Sequence, residues 1–204
     1  MYSCFFKRFI DILLSLLALP FVFLTVLVVA PFIFFEDKGP LFYNAVRRGR
    51  YGKKFKMFKL RTMYVNAPDI KNADGSTFNS DQDPRVTKIG RFLRKTSIDE
   101  LPQILNVLIG DMSFIGPRPT LAITPYEELP EINKKRLLVR PGISGYAQAY
   151  YRNSITQQEK FEKDCYYVDH VSFLLDIKIL LKTVVSVLRR ENINTVTQQP
   201  SETK

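Results

Sequence analysis

Residues 9–35 read FIDILLSLLALPFVFLTVLVVAPFIFF, 27 residues carrying a single charge, Asp11. A secretory signal would need a shorter apolar core and a small-residue cleavage site, and Phe-Phe-Glu-Asp stands at its end instead. As one helix the stretch would reach roughly 40 Å, enough to cross a bilayer core of about 30 Å with tilt. The flanks point the other way. Lys7 and Arg8 precede the stretch and a basic strip follows it, whereas a single span has only one end on the positively charged, cytoplasmic side. Pro20 and Pro31 are interruption points, and the pieces they delimit, roughly 18 Å and 22 Å long, each fall short of a crossing. A kinked single span and a re-entrant hairpin that enters one leaflet and returns both remain open on these residues.

The rest of the 204-residue chain has room for one ordinary domain. Two cysteines and one histidine exclude a disulfide framework, a Cys/His zinc site and any mechanism that needs two histidines, and they suit a reducing compartment. The net charge of +10 calls for an anionic partner: nucleic acid, a membrane surface or a phosphorylated substrate. Nine basic residues and no acid lie between Lys38 and Arg61, so nearly all of the surplus sits directly behind the apolar stretch. Aromatic residues interleave with this strip, but a nucleic-acid binder has little use for the apolar leader, and none is expected as partner.

The expected fold is mostly α with a few short strands: a membrane helix over 1–36, a catalytic domain over 37–191 and a disordered tail over 192–204. Leu41–Tyr43 and Phe55–Leu60 read as strands flanking an Arg/Gly/Lys loop, and residues 66–85 as a polar loop. Helices are predicted at Val86–Leu93, Ile98–Ile109, Tyr126–Leu138, Gln157–Val168 and Leu174–Arg190. The last puts Leu174, Ile177, Leu181, Val184 and Leu188 on one face, which fits either packing on the core or lying on an anionic membrane.

Asp99 and Glu100 are the carboxylates to consider for chemistry. Ser97 and Glu100 match a capping box, which would make the acids structural. Alternatively Asp99, close to Arg91 and Arg94, is an ionised carboxylate beside a phosphate site, able to attack phosphorus or hold Mg²⁺. Cations at loop edges, Lys59, Arg61, Arg94, Arg118 between two prolines, and Arg140 before Pro141-Gly142, could form that site. No G-x-x-x-x-G-K-[ST], G-x-G-x-x-G or G-x-S-x-G occurs, which sets aside a P-loop kinase, a dinucleotide dehydrogenase and an α/β-hydrolase.

Taken in order, the motifs resemble the bacterial sugar transferase family, the monotopic phosphoglycosyl transferases. They are Lys7-Arg8 with Asp11, Gly39-Pro-Leu-Phe-Tyr43, Gly52-Lys53 and Lys59-Leu-Arg-Thr-Met63. The most specific block is Gly90-Arg-Phe-Leu-Arg-Lys-Thr-Ser-Ile-Asp-Glu-Leu-Pro-Gln103, followed by Gly116-Pro-Arg-Pro119, Arg140-Pro-Gly142, Gly145-x-Ala-Gln148 and Arg152-Asn153. The likeness covers about residues 5–191. It implies a re-entrant membrane helix with the catalytic domain on the cytoplasmic face of a bacterial inner membrane. It also implies transfer of a phosphosugar from a UDP-sugar to polyprenol phosphate, with release of UMP. By the family's pattern Asp99 is the nucleophile and a Mg²⁺ ligand, Glu100 its dyad partner, and Lys59, Arg94, Arg118 and Arg152 surround the phosphates. One departure is Leu19-Pro20, where the family commonly breaks the helix at Ser-Pro. Two rivals follow from the residues: direct attack by the lipid phosphate with Asp99 only binding metal, and a non-catalytic scaffold holding anionic lipid through the basic strip. The sugar, the polyprenol length and the oligomeric state are not encoded in any pattern found.

Overall fold

A computed structural model describes residues 2–68, 70, 80, 83–152 and 154–188. After a short π-helical turn at Tyr2–Phe6, the apolar stretch forms one helix, α1 (Lys7–Asp37), which runs through both Pro20 and Pro31 without interruption. The helix is therefore not broken at the prolines, the expected points of interruption. Thr25 Oγ1 donates to the Phe21 carbonyl at 2.8 Å, and the buried Ser15 hydroxyl makes no hydrogen bond among the described residues. Neither takes the Leu16 carbonyl, the one that Pro20 leaves without its helical donor.

Asp11, Ser15, Val22, Val29 and Ile33 form the buried side of α1, while Leu13, Leu16, Leu17, Phe21, Leu24, Leu27 and Phe32 are exposed. Both ends of the helix are tied to the same body. At the start Arg8 donates to the carbonyls of Val107 and Leu108, and Asp11 accepts from Ser113 Oγ and the Phe114 N–H. Asp176, which also accepts from Tyr2 and Tyr167, holds Lys7. At the far end Glu36 accepts the first amides of the next helix, from Lys88 and Ile89, and Asp37 pairs with Arg61. Of these, Arg8 and Glu36 satisfy orphan terminal groups of neighbouring helices with charge of the favourable sign.

The strands are shifted from their predicted places. β1 (Ala45–Arg48) pairs antiparallel with β2 (Lys54–Met57), Arg47 opposite Phe55, with only a single bridge, Phe42 to Leu60, further out. Arg47 and Arg48 are thus strand residues. The hairpin closes through Tyr51 and Gly52, both at positive φ, which shortens the loop.

α2 (Lys88–Thr96) starts two residues later than predicted because Thr87 caps it, accepting the Gly90 N–H at 2.9 Å. The predicted helix over 98–109 is split into a 3₁₀ turn at Ile98–Glu100 and α3 (Gln103–Ile109). Pro102, with no N–H to donate, stands at the division. A parallel pair then forms between β3 (Ser113–Ile115) and β4 (Gly142–Ser144). The helix expected over 126–138 is reduced to α4 (Glu131–Arg136), which begins after Pro130.

α5 (Tyr146–Tyr150), α6 (Gln157–Asp169) and α7 (Phe173–Leu188) complete the domain. α7 packs inward through Asp176, Ile179 and Ser186. The stripe of Leu174, Ile177, Leu181 and Val184 stays exposed, so core packing is not what that stripe serves. Most of the predicted polar loop, Arg189, Asn153 and the tail over 192–204 lie outside the described residues.

The interior is three small clusters, and α1 enters one of them: Val29 and Ile33 pack with Leu60 and Leu93. The second joins Phe55 and Met57 of β2 to Val107 and Met112, and the third joins Ile115, Ala149, Tyr167 and Ile179. Asn106, fully buried, ties the first two regions together. Its side chain accepts the Phe58 N–H and donates to the Lys56 carbonyl, each at 2.8 Å. The chain segment carrying Lys59 is thereby laid along the turn carrying Asp99.

Candidate active site

Asp99 and Glu100 occupy the 3₁₀ turn between α2 and α3. Ser97 precedes it at φ 58°, a conformation that ends α2 and prevents it from acting as an N-cap. The capping box read at Ser97 to Glu100 is not formed, because the Glu100 carboxylate is engaged elsewhere. Asp99 is only 2% exposed. Its backbone carbonyl accepts the Leu60 N–H at 3.0 Å, which sets Lys59 against the turn.

Lys59 Nζ then lies 2.8 Å from Asp99 Oδ2 and 3.3 Å from Glu100 Oε1. Arg118 Nη2 donates to the same Glu100 oxygen at 2.8 Å. Burial pushes the Glu100 carboxyl up, but the charges and hydrogen bonds of Arg118 and Lys59 outweigh it and hold the group well below the usual carboxylate range. Glu100 in turn raises Arg118. The pair is ionised and clamped at neutral pH.

A stability test follows from that direction. A carboxyl lowered in the folded state stabilises above its unfolded value and loses that contribution as pH falls through the folded one. Glu100→Gln is therefore expected to be less stable than wild type above about pH 5, with the gap closing as pH falls below about 4.5. Urea unfolding in detergent from pH 7 to pH 3 measures it, and a gap that stays constant would contradict the assignment.

Arg94, at the end of α2, donates from Nε to Thr62 Oγ1 at 2.9 Å. Burial lowers its pKa while the charges of Asp99 and Asp83 act against that shift, so Arg94 is within electrostatic reach of Asp99 without an ion pair to it among the described residues. Arg118 leaves the Gly116-Pro-Arg-Pro loop, whose backbone is fixed from two sides. Gly142 N–H donates to the Pro117 carbonyl, and the buried Arg136, paired with Asp164 at 2.7 Å, donates to the Arg118 carbonyl at 3.0 Å.

Lys59 and Arg118 are thus brought to the acid pair, with Arg94 held nearby through Thr62. Arg61 is not: its guanidinium is held by Asp37 and by the carbonyls of Pro40, Met63 and Ile33, where it fastens the end of α1. Arg140 donates to the Gly110 carbonyl at 2.9 Å, beside Arg8, at the C-terminal end of α3, a position where cations complement the helix dipole. Arg152 follows α5 at φ 45°, its amide bonded to the Ala147 carbonyl. Arg136 and Asp164 support the site without any sequence signal, and Thr62 only as a member of Lys59-Leu-Arg-Thr-Met63, since their partners lie 18 to 32 residues away.

Among the described residues no group of three or more His, Cys, Asp or Glu side chains gathers around a point. The acid pair nevertheless suits Mg²⁺, which takes one or two protein carboxylates and completes its shell with substrate phosphate and water. Lys59 and Arg118 occupy one oxygen of each carboxylate, and the other oxygen of each makes no hydrogen bond among the described residues.

The buried Asp99 and the partly buried Glu100 thus stand among cations, in a chain that also exposes a long apolar helix. The bacterial sugar transferase family matches residues 2–190, and the chain belongs to it. It is 42% identical over 190 residues to the uncharacterized sugar transferase EpsL of Bacillus subtilis, covering 92% of this chain and 89% of that one. It is 40% identical to the UDP-N-acetylgalactosamine-undecaprenyl-phosphate N-acetylgalactosaminephosphotransferase of Aeromonas hydrophila, over 90% of this chain and 44% of that protein. It is 41% identical to the UDP-glucose:undecaprenyl-phosphate glucose-1-phosphate transferase of Klebsiella pneumoniae, over 88% and 39%. The chain thus spans nearly all of the short relative and about two fifths of the longer ones.

Proposed function

We propose that this protein transfers a sugar 1-phosphate from a UDP-sugar to a polyprenol phosphate, with Asp99 as nucleophile. The observation that carries the reading is the buried Asp99 carboxylate held by Lys59, beside a Glu100 fixed between Lys59 and Arg118. In the first displacement an Asp99 oxygen attacks the phosphorus that bears the sugar. The bond to the bridging oxygen breaks and its electron pair leaves with UMP. In the second, an oxygen of the lipid phosphate attacks the same phosphorus and Asp99 departs, leaving a polyprenyl diphosphate sugar.

Such an attack needs the diphosphate charge screened, and Lys59, Arg94 and Arg118 are preorganised for that. Mg²⁺ bound at Asp99 and Glu100 would add Lewis-acid neutralisation of the phosphate oxygens. Arg152 remains a proposed substrate contact from the family's pattern, whereas Arg61 and Arg140, expected as substrate cations from their places at loop edges, are engaged at structural positions here.

The same reading places α1 in one leaflet, entering and leaving on the cytoplasmic face. Its support is that both ends of α1 are bonded to a single body, while its apolar face and the Leu174–Val184 stripe of α7 are exposed. A helix crossing the bilayer would carry one end away from the domain. The donor sugar differs between the relatives, so the substrate class is a UDP-sugar without further restriction.

The test is UMP release from a panel of UDP-sugars with polyprenol phosphate, together with intact-mass detection of a phosphosugar adduct when acceptor is omitted. An adduct formed without acceptor supports the covalent route. UMP release only when acceptor is present, without adduct, would favour direct attack by the lipid phosphate. No UMP from any donor would leave the protein a lipid-binding scaffold.

A further inference from the structure

A second cationic position lies behind Arg118. Arg47 is on the face of β1 that meets the buried Phe55 and Met57 of β2, an unusual place for a guanidinium without a partner. Its strand is pinned on the other side as well, by the bridge from Arg47 to Leu121 and the bond from Arg48 N–H to the Thr120 carbonyl at 3.0 Å. Its backbone is therefore fixed. Among the described residues the Arg47 side chain makes no hydrogen bond or ion pair, whereas neighbouring Arg48 reaches the Thr124 carbonyl.

Arg47 and Arg118 line one cavity of about 30 Å³ with Gln103, Met57 and Pro119. Gln103 is 2% exposed, and its amide makes no hydrogen bond among the described residues. The Gln103 amide is thus free to meet whatever fills the cavity, and two guanidiniums facing one small cavity repel. Burial, and next the Arg118 charge, act against the charged form of Arg47. One ligand answers all of these: an oxyanion that accepts from both guanidiniums and from the Gln103 NH₂.

We infer that Arg47, Gln103 and Arg118 form a phosphate subsite adjoining the Asp99–Glu100 pair, with Arg47 holding a phosphate oxygen that Lys59 and Arg94 do not hold. This rests on the reading under Proposed function, in which Arg118 faces a diphosphate. The phosphate belongs either to the departing nucleotide or to the lipid acceptor, and both present the same non-bridging oxygens.

The test uses the full chain in detergent. Inorganic pyrophosphate is titrated against wild type, Arg47→Gln and Arg47→Lys, with affinity read by calorimetry and folding by the thermal midpoint. Arg47→Gln is expected to weaken pyrophosphate at least ~10-fold with an unchanged ligand-free midpoint, and Arg47→Lys to weaken it less, because the charge stays but the bidentate geometry goes. In turnover, a raised KM for the UDP-sugar with the lipid KM unchanged assigns the subsite to the donor, and the reverse assigns it to the acceptor. A folded Arg47→Gln with wild-type pyrophosphate affinity and both KM values unchanged overturns the subsite while leaving the transferase reading intact. If wild type releases no UMP from any donor, the pyrophosphate titration alone decides. Should Arg47→Gln not fold, Gln103→Glu replaces it. A carboxylate in the cavity is expected to weaken pyrophosphate at least as much, and unchanged affinity would again overturn the proposal.

Discussion

Asp99→Asn is expected to lower UMP release by at least ~10³-fold, the scale on which loss of a covalent nucleophile acts. The amide matches the carboxylate in shape, so packing around the 2%-exposed side chain should be retained, and Lys59 still has Glu100 as a partner. What is lost is the oxygen that attacks phosphorus. Two measurements separate this from a general defect. The variant should keep its thermal midpoint within a few degrees, and it should show no phosphosugar adduct by intact mass under conditions where wild type does. Wild-type turnover in the variant would remove Asp99 as nucleophile. A wild-type enzyme that releases UMP only with acceptor present would point to the direct route.

Gly90→Ala should be strongly damaging to the domain. On helix propensity alone it would stabilise α2 by about 1 kcal/mol. The tertiary structure predicts the opposite sign. A Cβ at Gly90 would collide with the Thr62 carbonyl and meet the Thr87 hydroxyl at 2.7 Å, where that oxygen accepts the Gly90 N–H. Thr62 belongs to the segment that carries Lys59, and one turn along α2 Arg94 bonds the Thr62 hydroxyl. Moving α2 outward would therefore strain the Arg94–Thr62 bond and the placement of Lys59 as well as open the packing of Leu93 on Leu60. We expect a loss of roughly 3 kcal/mol, the upper end of overpacking costs, with a fall in kcat. Urea unfolding and UMP release together check it, and a more stable, fully active variant would refute the close contact.

Identical local patterns end differently in this chain, which shows where sequence reading stops. Ser97-x-x-Glu100 and Thr156-x-x-Glu159 have the same spacing. Thr156 and Glu159 form the reciprocal capping box at the start of α6, where both are exposed. Ser97 and Glu100 do not, because Lys59 and Arg118, 41 and 18 residues away from Glu100, claim its carboxylate. Lys59 and Arg61 diverge for a similar reason. Spacing two apart, they read as one cationic pair, yet Asp37 at the end of α1 takes Arg61 while the acid turn takes Lys59. Arg47 was legible only as part of a basic strip. Its place behind Arg118 depends on the hairpin register, in which Arg47 stands opposite Phe55 and bridges Leu121.

The sequence by itself determined the long apolar helix, the mostly helical class and the family, because these rest on local hydrophobic runs and on ordered motifs. It also singled out Asp99 and Glu100 as the acids to test. Only the tertiary structure decided which cations face them, that the apolar face of α7 stays uncovered, and that both ends of α1 return to one body. Charge and hydrophobicity are properties of residues, but the salt bridges and the cavity at this site join segments distant along the chain.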